Sequence, residues 1–261
     1  MIFERSGETM RLWERVLIAC LAVLCLGVPA AQAGSQGSVH EETHERVMKW
    51  LSPAEGDWYG LDGQLAMTIE DGAVDGCSVL AGYGFAGGYP RVGVFRIAEA
   101  AGSRDLQLAM IGDRGSAHQY LIVDKSNAFR RTAEPEYFES IGGLYLGITQ
   151  EQVLALYGDP TKQDSRHTGF STWEYKTEGL AINFEAQIAT GITLRRGSPH
   201  RFDQSGLGPD DSGETWQEAY GLQRTPYVPK DKNSTSGAYP IGQGEYLFFS
   251  NEGVMLSLYN N

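Results

Sequence analysis

The chain has 261 residues, with 33 acidic against 21 basic side chains and a formal net charge of −12. A body this acidic repels phosphate backbones and anionic headgroups, which argues against nucleic acid or anionic membrane as a partner. Of its three cysteines, Cys20 and Cys25 lie in an apolar leader and Cys77 stands alone beyond it, so no intramolecular disulfide is expected after the leader is removed.

Residues 1–33 read as a cleavable secretory signal. Arg11 and Arg15 precede the uncharged apolar stretch 16–28, and Ala31-Gln32-Ala33 offers small residues at the two positions signal peptidase reads. Met10 is an alternative start to Met1. The apolar stretch is shorter than the ~20 residues a transmembrane helix needs, so no membrane span is expected. Leu17-Ile18-Ala19-Cys20 has the form of a lipoprotein cleavage box, but the apolar run continues past the cysteine and no lipid anchor is expected. The predicted location is secreted or periplasmic, after cleavage near Ala33.

Within 34–54, Val47, Met48, Trp50 and Leu51 stand among charges and predict a short amphipathic helix, ended by Ser52-Pro53. From 55 to 135 the period changes to two. Leu65, Met67 and Ile69 alternate with Ala66, Thr68 and Glu70, and Asp71-Gly72 supplies a hairpin turn. Further strands are predicted at 77–81, 91–98, 105–111, 118–124 and 127–132, which together make an antiparallel meander, either a sheet or a partial barrel.

The remainder, 136–261, repeats a pattern over 136–197 and 205–261. Thr149 and Ser212 can each cap a helix, apolar residues follow at helical spacing, and Gly158 and Gly221 close the two segments. Gly179-Leu180 with Phe184 is matched by Gly244-Glu245 with Phe249. Two αββ units follow, each too small to bury its own apolar face. The fold class expected is therefore α+β, mostly β.

Leu146-Gly147-Ile148-Thr149-x-Glu151-x-Val153, Tyr157-Gly158-Asp159-Pro160 and Trp173-x-Tyr175 followed by Gly179-Leu180 and Phe184 resemble the helix-then-hairpin units of the outer-membrane assembly lipoproteins and of the β-lactamase inhibitory protein family. The resemblance covers roughly 141–259 and implies a non-enzymatic, protein-contacting role. Gly56-Asp57-Trp58-Tyr59 ahead of a meander is similar to the opening of lipocalin-like barrels.

Two motifs invite chemistry. His40-Glu41-Glu42-Thr43-His44 matches H-E-x-x-H, making His40 and His44 candidate zinc ligands. It begins seven residues past the cleavage site with polar flanks and no third ligand in sight, so no metal is expected. Gly82-Tyr83-Gly84-Phe85-Ala86-Gly87 matches a dinucleotide fingerprint but leads into a strand rather than a helix, so no cofactor is implied. As a loop, it makes Tyr83, Phe85 and Tyr89 candidates for small-ligand contact, or ordinary rings folded onto the sheet. No serine has glycines at both −2 and +2, so the nucleophile elbow is absent. Trp173, Tyr175, Tyr246 and Phe248 either pack the core or form a protein-contact surface.

The expected function is an exported, non-catalytic interaction module with a protein partner. The alternatives are a small-ligand carrier built on a lipocalin-like N-terminal β domain, and a hydrolase that is zinc-dependent or has a site without a sequence signature.

Overall fold

A computed structural model describes residues 41–86, 91–113, 116, 118–167, 169–231 and 234–259. The leader, His40 and Tyr89 lie outside these residues.

Helix α1, His44–Leu51, starts where Thr43 takes an extended conformation and its hydroxyl accepts the Arg46 N–H. Its buried face is Val47, Trp50 and Leu51, and a 3-10 turn over Ser52–Ala54 carries the chain into the first strand. Eight strands follow, β1 Gly56–Tyr59, β2 Leu65–Glu70, β3 Ala73–Val74, β4 Cys77–Tyr83, β5 Arg91–Glu99, β6 Gly102–Ile111, β7 Tyr120–Val123 and β8 Asn127–Arg130, forming a closed barrel in sequence order. Closure removes the exposed edges an open meander would leave. It rests on one register pair, Tyr59 with Arg130. The Arg130 guanidinium also donates to the carbonyl oxygens of Ala133 at 2.7 Å and Leu61 at 3.2 Å.

The turn chemistry follows the residues. Asp71-Gly72 and Asp75-Gly76 both sit at positive φ, as two-residue turns require, and place the two-residue β3 between them. The expected alternation along β2 fails at its first residue. Met67 and Ile69 face inward, but Leu65 is 58 % exposed. Between Trp58 and Tyr59 the register slips, with Trp58 opposite Met67 and Tyr59 opposite Leu65, so Ala66 is an extra residue that turns Leu65 to the other face.

The barrel is filled. Trp58, Ile69, Phe95, Ile97, Leu106 and Leu108 are almost wholly buried in one cluster with Val47, Trp50 and Leu51 of α1. Trp50 lies 4.7 Å from the Phe95 ring, and the Trp58 indole N–H donates to Ala54 O at 2.7 Å. The opposite face of β6–β8, with Ala109, Ile111, Tyr120, Ile122 and Ala128, belongs to a second cluster shared with the C-terminal half.

That half opens with the small hairpin β9 Ser140–Ile141 and β10 Leu144–Tyr145. Helix α2, Gln150–Tyr157, precedes β11 Lys162–His167, β12 Phe170–Tyr175, β13 Leu180–Glu185 and β14 Ile188–Arg195. Helix α3, Gly213–Tyr220, precedes β15 Tyr239–Gly242, β16 Glu245–Ser250 and β17 Gly253–Ser257. All seven strands form one antiparallel sheet in the order β11-β12-β13-β14-β17-β16-β15. The expected αββ units are thus corrected in strand count, to four strands after the first helix and three after the second. Both helices are capped as their sequences suggest. Thr149 and Gln152 form a reciprocal capping box, the Ser212 hydroxyl accepts the Thr215 N–H, and Gly158 and Gly221 end the helices at positive φ.

One face of this sheet is apolar and covered. A cross-strand row runs Trp173, Ile182, Ile192, Leu256, Leu247, Tyr239, and a second runs Tyr175, Leu180, Leu194, Val254, Phe249. All eleven are buried. Trp216 of α3 meets Phe249 edge-on at 5.3 Å, and Tyr157 of α2 lies 5.6 Å from Tyr175.

Candidate binding groove on the helix-free sheet face

Because side chains alternate across a strand, the rows between the apolar ones point to the other face. One such row crosses all seven strands: Asp164, Thr172, Asn183, Gly191, Ser257, Tyr246, Pro240. On this face lies a groove of about 550 Å3, whose lining includes Phe170, Thr172, Asn183, Phe248, Met255 and Tyr259.

Its floor is shaped by two irregularities. Asn183 is opposite Gly191 but Phe184 is opposite Ala189, so Thr190 is the extra residue of a bulge. Gly191 carries no side chain in mid-sheet. A Cβ there would stand 3.3 Å from Asn183 Nδ2 and 3.6 Å from Met255 Sδ, so these two side chains close over the glycine and leave no room for a larger residue.

The polar groups around Gly191 are held in place. The Thr172 hydroxyl donates to Asn183 Oδ1 at 3.0 Å, which orients the amide and leaves its Nδ2 without a protein acceptor among the described residues. Ser257 Oγ accepts the Tyr259 N–H at 3.0 Å, while on the covered face Ser171 Oγ accepts from Gln150 Nε2 of α2 at 2.9 Å. The Tyr259 hydroxyl donates to the Glu185 carboxylate. Burial pushes the Glu185 carboxyl above the usual carboxylate range, with the Tyr259 hydroxyl acting in the opposite sense. Phe170, 48 % exposed, forms the outer wall.

A second cluster lies where the barrel meets the sheet. Glu245, wholly buried, accepts the Phe138 N–H at 2.6 Å and the Glu139 N–H at 3.1 Å, and His118 Nε2 lies 2.9 Å from the same carboxylate. Glu139 accepts from the Gln204 N–H at 2.9 Å and the Tyr220 hydroxyl at 2.5 Å. Burial first, and the bond to Glu139 second, push the Tyr220 phenol well above its ordinary range. Neither carboxylate lines the groove, and their acceptors are filled by backbone and phenol donors from the linker, the 203–205 loop and α3. This is how a fold satisfies buried charge, and the cluster joins the two halves.

The residues singled out from sequence distribute as follows. Phe85 is packed on Trp50 and Phe95, at ring distances of 6.1 and 5.3 Å, over the space that Gly82 and Gly93 leave for it. Tyr83 lies under the Arg96 guanidinium at 5.4 Å. Phe85 is thus a ring folded onto the sheet, the second of the two readings of this loop. Trp173 and Tyr175 belong to the covered rows and are unavailable to a partner. Tyr246 gives its hydroxyl hydrogen to Asp113 of the barrel. Phe248 lies in the groove wall, mostly buried. His44 is exposed in the first turn of α1, and among the described residues no three His, Cys, Asp or Glu side chains converge as a metal site.

Sequence reasoning missed Asn183, Gly191 and Met255. Gly191, a glycine between the apolar residues Ile188 and Ile192 of β14, was the available signal.

Among the described residues, no helix is long and apolar enough to cross a membrane. Comparisons with family models, with curated proteins and with solved structures return no match for this chain.

Proposed function

We propose that the chain is an exported, non-catalytic interaction module that engages a protein partner through the helix-free face of its seven-stranded sheet. The observation that supports this reading is the groove itself. It is a preformed concavity lined, apart from Asp164 on the edge strand, by uncharged hydroxyl, amide, thioether and ring groups, with a bonding-competent amide at its floor. That composition suits recognition better than bond-breaking chemistry, which requires a nucleophile within reach of a base. Ser171 and Ser257, the serines of the lining, accept hydrogen bonds from an amide side chain and a backbone N–H, and among the described residues neither is bonded to a histidine.

The likeness to the assembly lipoproteins and the β-lactamase inhibitory protein family fits this role. On that reading, 136–197 and 205–261 are one helix-plus-hairpin idea used twice and extended by further strands. The strand order supports it, since β14-β13-β12 and β17-β16-β15 run outward from the central β14–β17 pair in matching order. A carrier role would require room inside the barrel, where Trp58, Phe95 and Leu108 are packed.

The test is in-place crosslinking in the expressing cell's envelope and culture medium, comparing the wild-type chain with Thr172→Arg. One partner enriched by the wild-type chain and reduced at least tenfold by the variant, with an unchanged circular dichroism spectrum, is the expected result. Equal capture by the two chains would remove the sheet face from the mechanism. N-terminal sequencing of the exported product tests cleavage near Ala33.

A further inference from the structure

We draw no further inference here: the strongest candidate, the cleft of about 420 Å3 beside the barrel seam, lined by Leu65, Asn127, Phe129 and Gln187 where β8 meets β1 at a single rung, carries nothing because no observation in the structure shows what covers it.

Discussion

Glu245 accepts the backbone N–H of Phe138 at 2.6 Å, across 107 positions of sequence. The same carboxylate receives the next N–H, that of Glu139, and lies against His118 of the barrel. One side chain on β16, fully buried, therefore holds the linker and the barrel loop together.

Removing it leaves donors without acceptors. Glu245→Ala should destabilise the chain by about 3–5 kcal/mol, the scale for breaking a buried charge cluster on one side. Glu245→Gln keeps one acceptor oxygen and should cost less, about 1–3 kcal/mol. Urea denaturation of the two variants beside wild type checks the order.

The barrel should depend on α1 as a wall of its core. Trp50→Ala removes a ring packed on Phe85 and Phe95, with an expected loss of about 3–5 kcal/mol. Near-ultraviolet circular dichroism should lose aromatic signal while the far-ultraviolet strand signal persists. A change below about 1 kcal/mol would mean that α1 is only loosely docked.

Helices α2 and α3 use different caps. Thr149→Ala removes the acceptor of the Gln152 N–H while the backbone N–H of residue 149 keeps the Gln152 side chain, whereas Ser212→Ala removes the partner of both the Thr215 N–H and the Thr215 hydroxyl. Each should cost about 1 kcal/mol, because each leaves one backbone N–H of the first turn without its acceptor. Thermal melts of the single and double variants test the size of each loss and their additivity, which is expected because the two caps share no partner.

Asp203 sets a pH dependence. Burial works to raise its pKa, but the Ser140 hydroxyl, the Gly143 and Gly142 N–H groups and the nearby His200 together outweigh it, and the net shift is downward. A carboxyl held below its ordinary value stabilises the fold above about pH 4, and that contribution is lost as pH falls through the native value. Asp203→Asn should therefore be less stable at pH 6 than wild type, with the gap closing toward pH 2–3. A gap that widens on acidification contradicts the assignment.

What sequence reasoning reached was local. Thr149 and Ser212 announce the helix starts, Asp71-Gly72 announces a turn, and Met67 with Ile69 announces an inward face, because each signal needs only neighbours along the chain. Strand β11 was invisible: Lys-Gln-Asp-Ser-Arg-His has no apolar alternation, and it is a strand because β12 offers it a hydrogen-bonding edge. Leu65 misled because a one-residue bulge inverts its facing. The groove was hidden for a deeper reason. Thr172, Asn183, Gly191 and Ser257 become neighbours only through the pairing of four strands, two of which are more than 60 residues apart in sequence. The barrel loop on Tyr246 likewise depends on long-range docking.

The single rung between Tyr59 and Arg130 has a consequence for how the barrel comes apart. A cylinder fastened by one ladder step unrolls into a flat ribbon at far lower cost than one stitched along its length, so the Gly60–Leu65 and Ser126–Arg130 margins should exchange their amide hydrogens before the β5–β6 pair, which is joined over nine positions. The same margin is where a rearranged gene could begin and end the chain with the smallest disturbance to its folding.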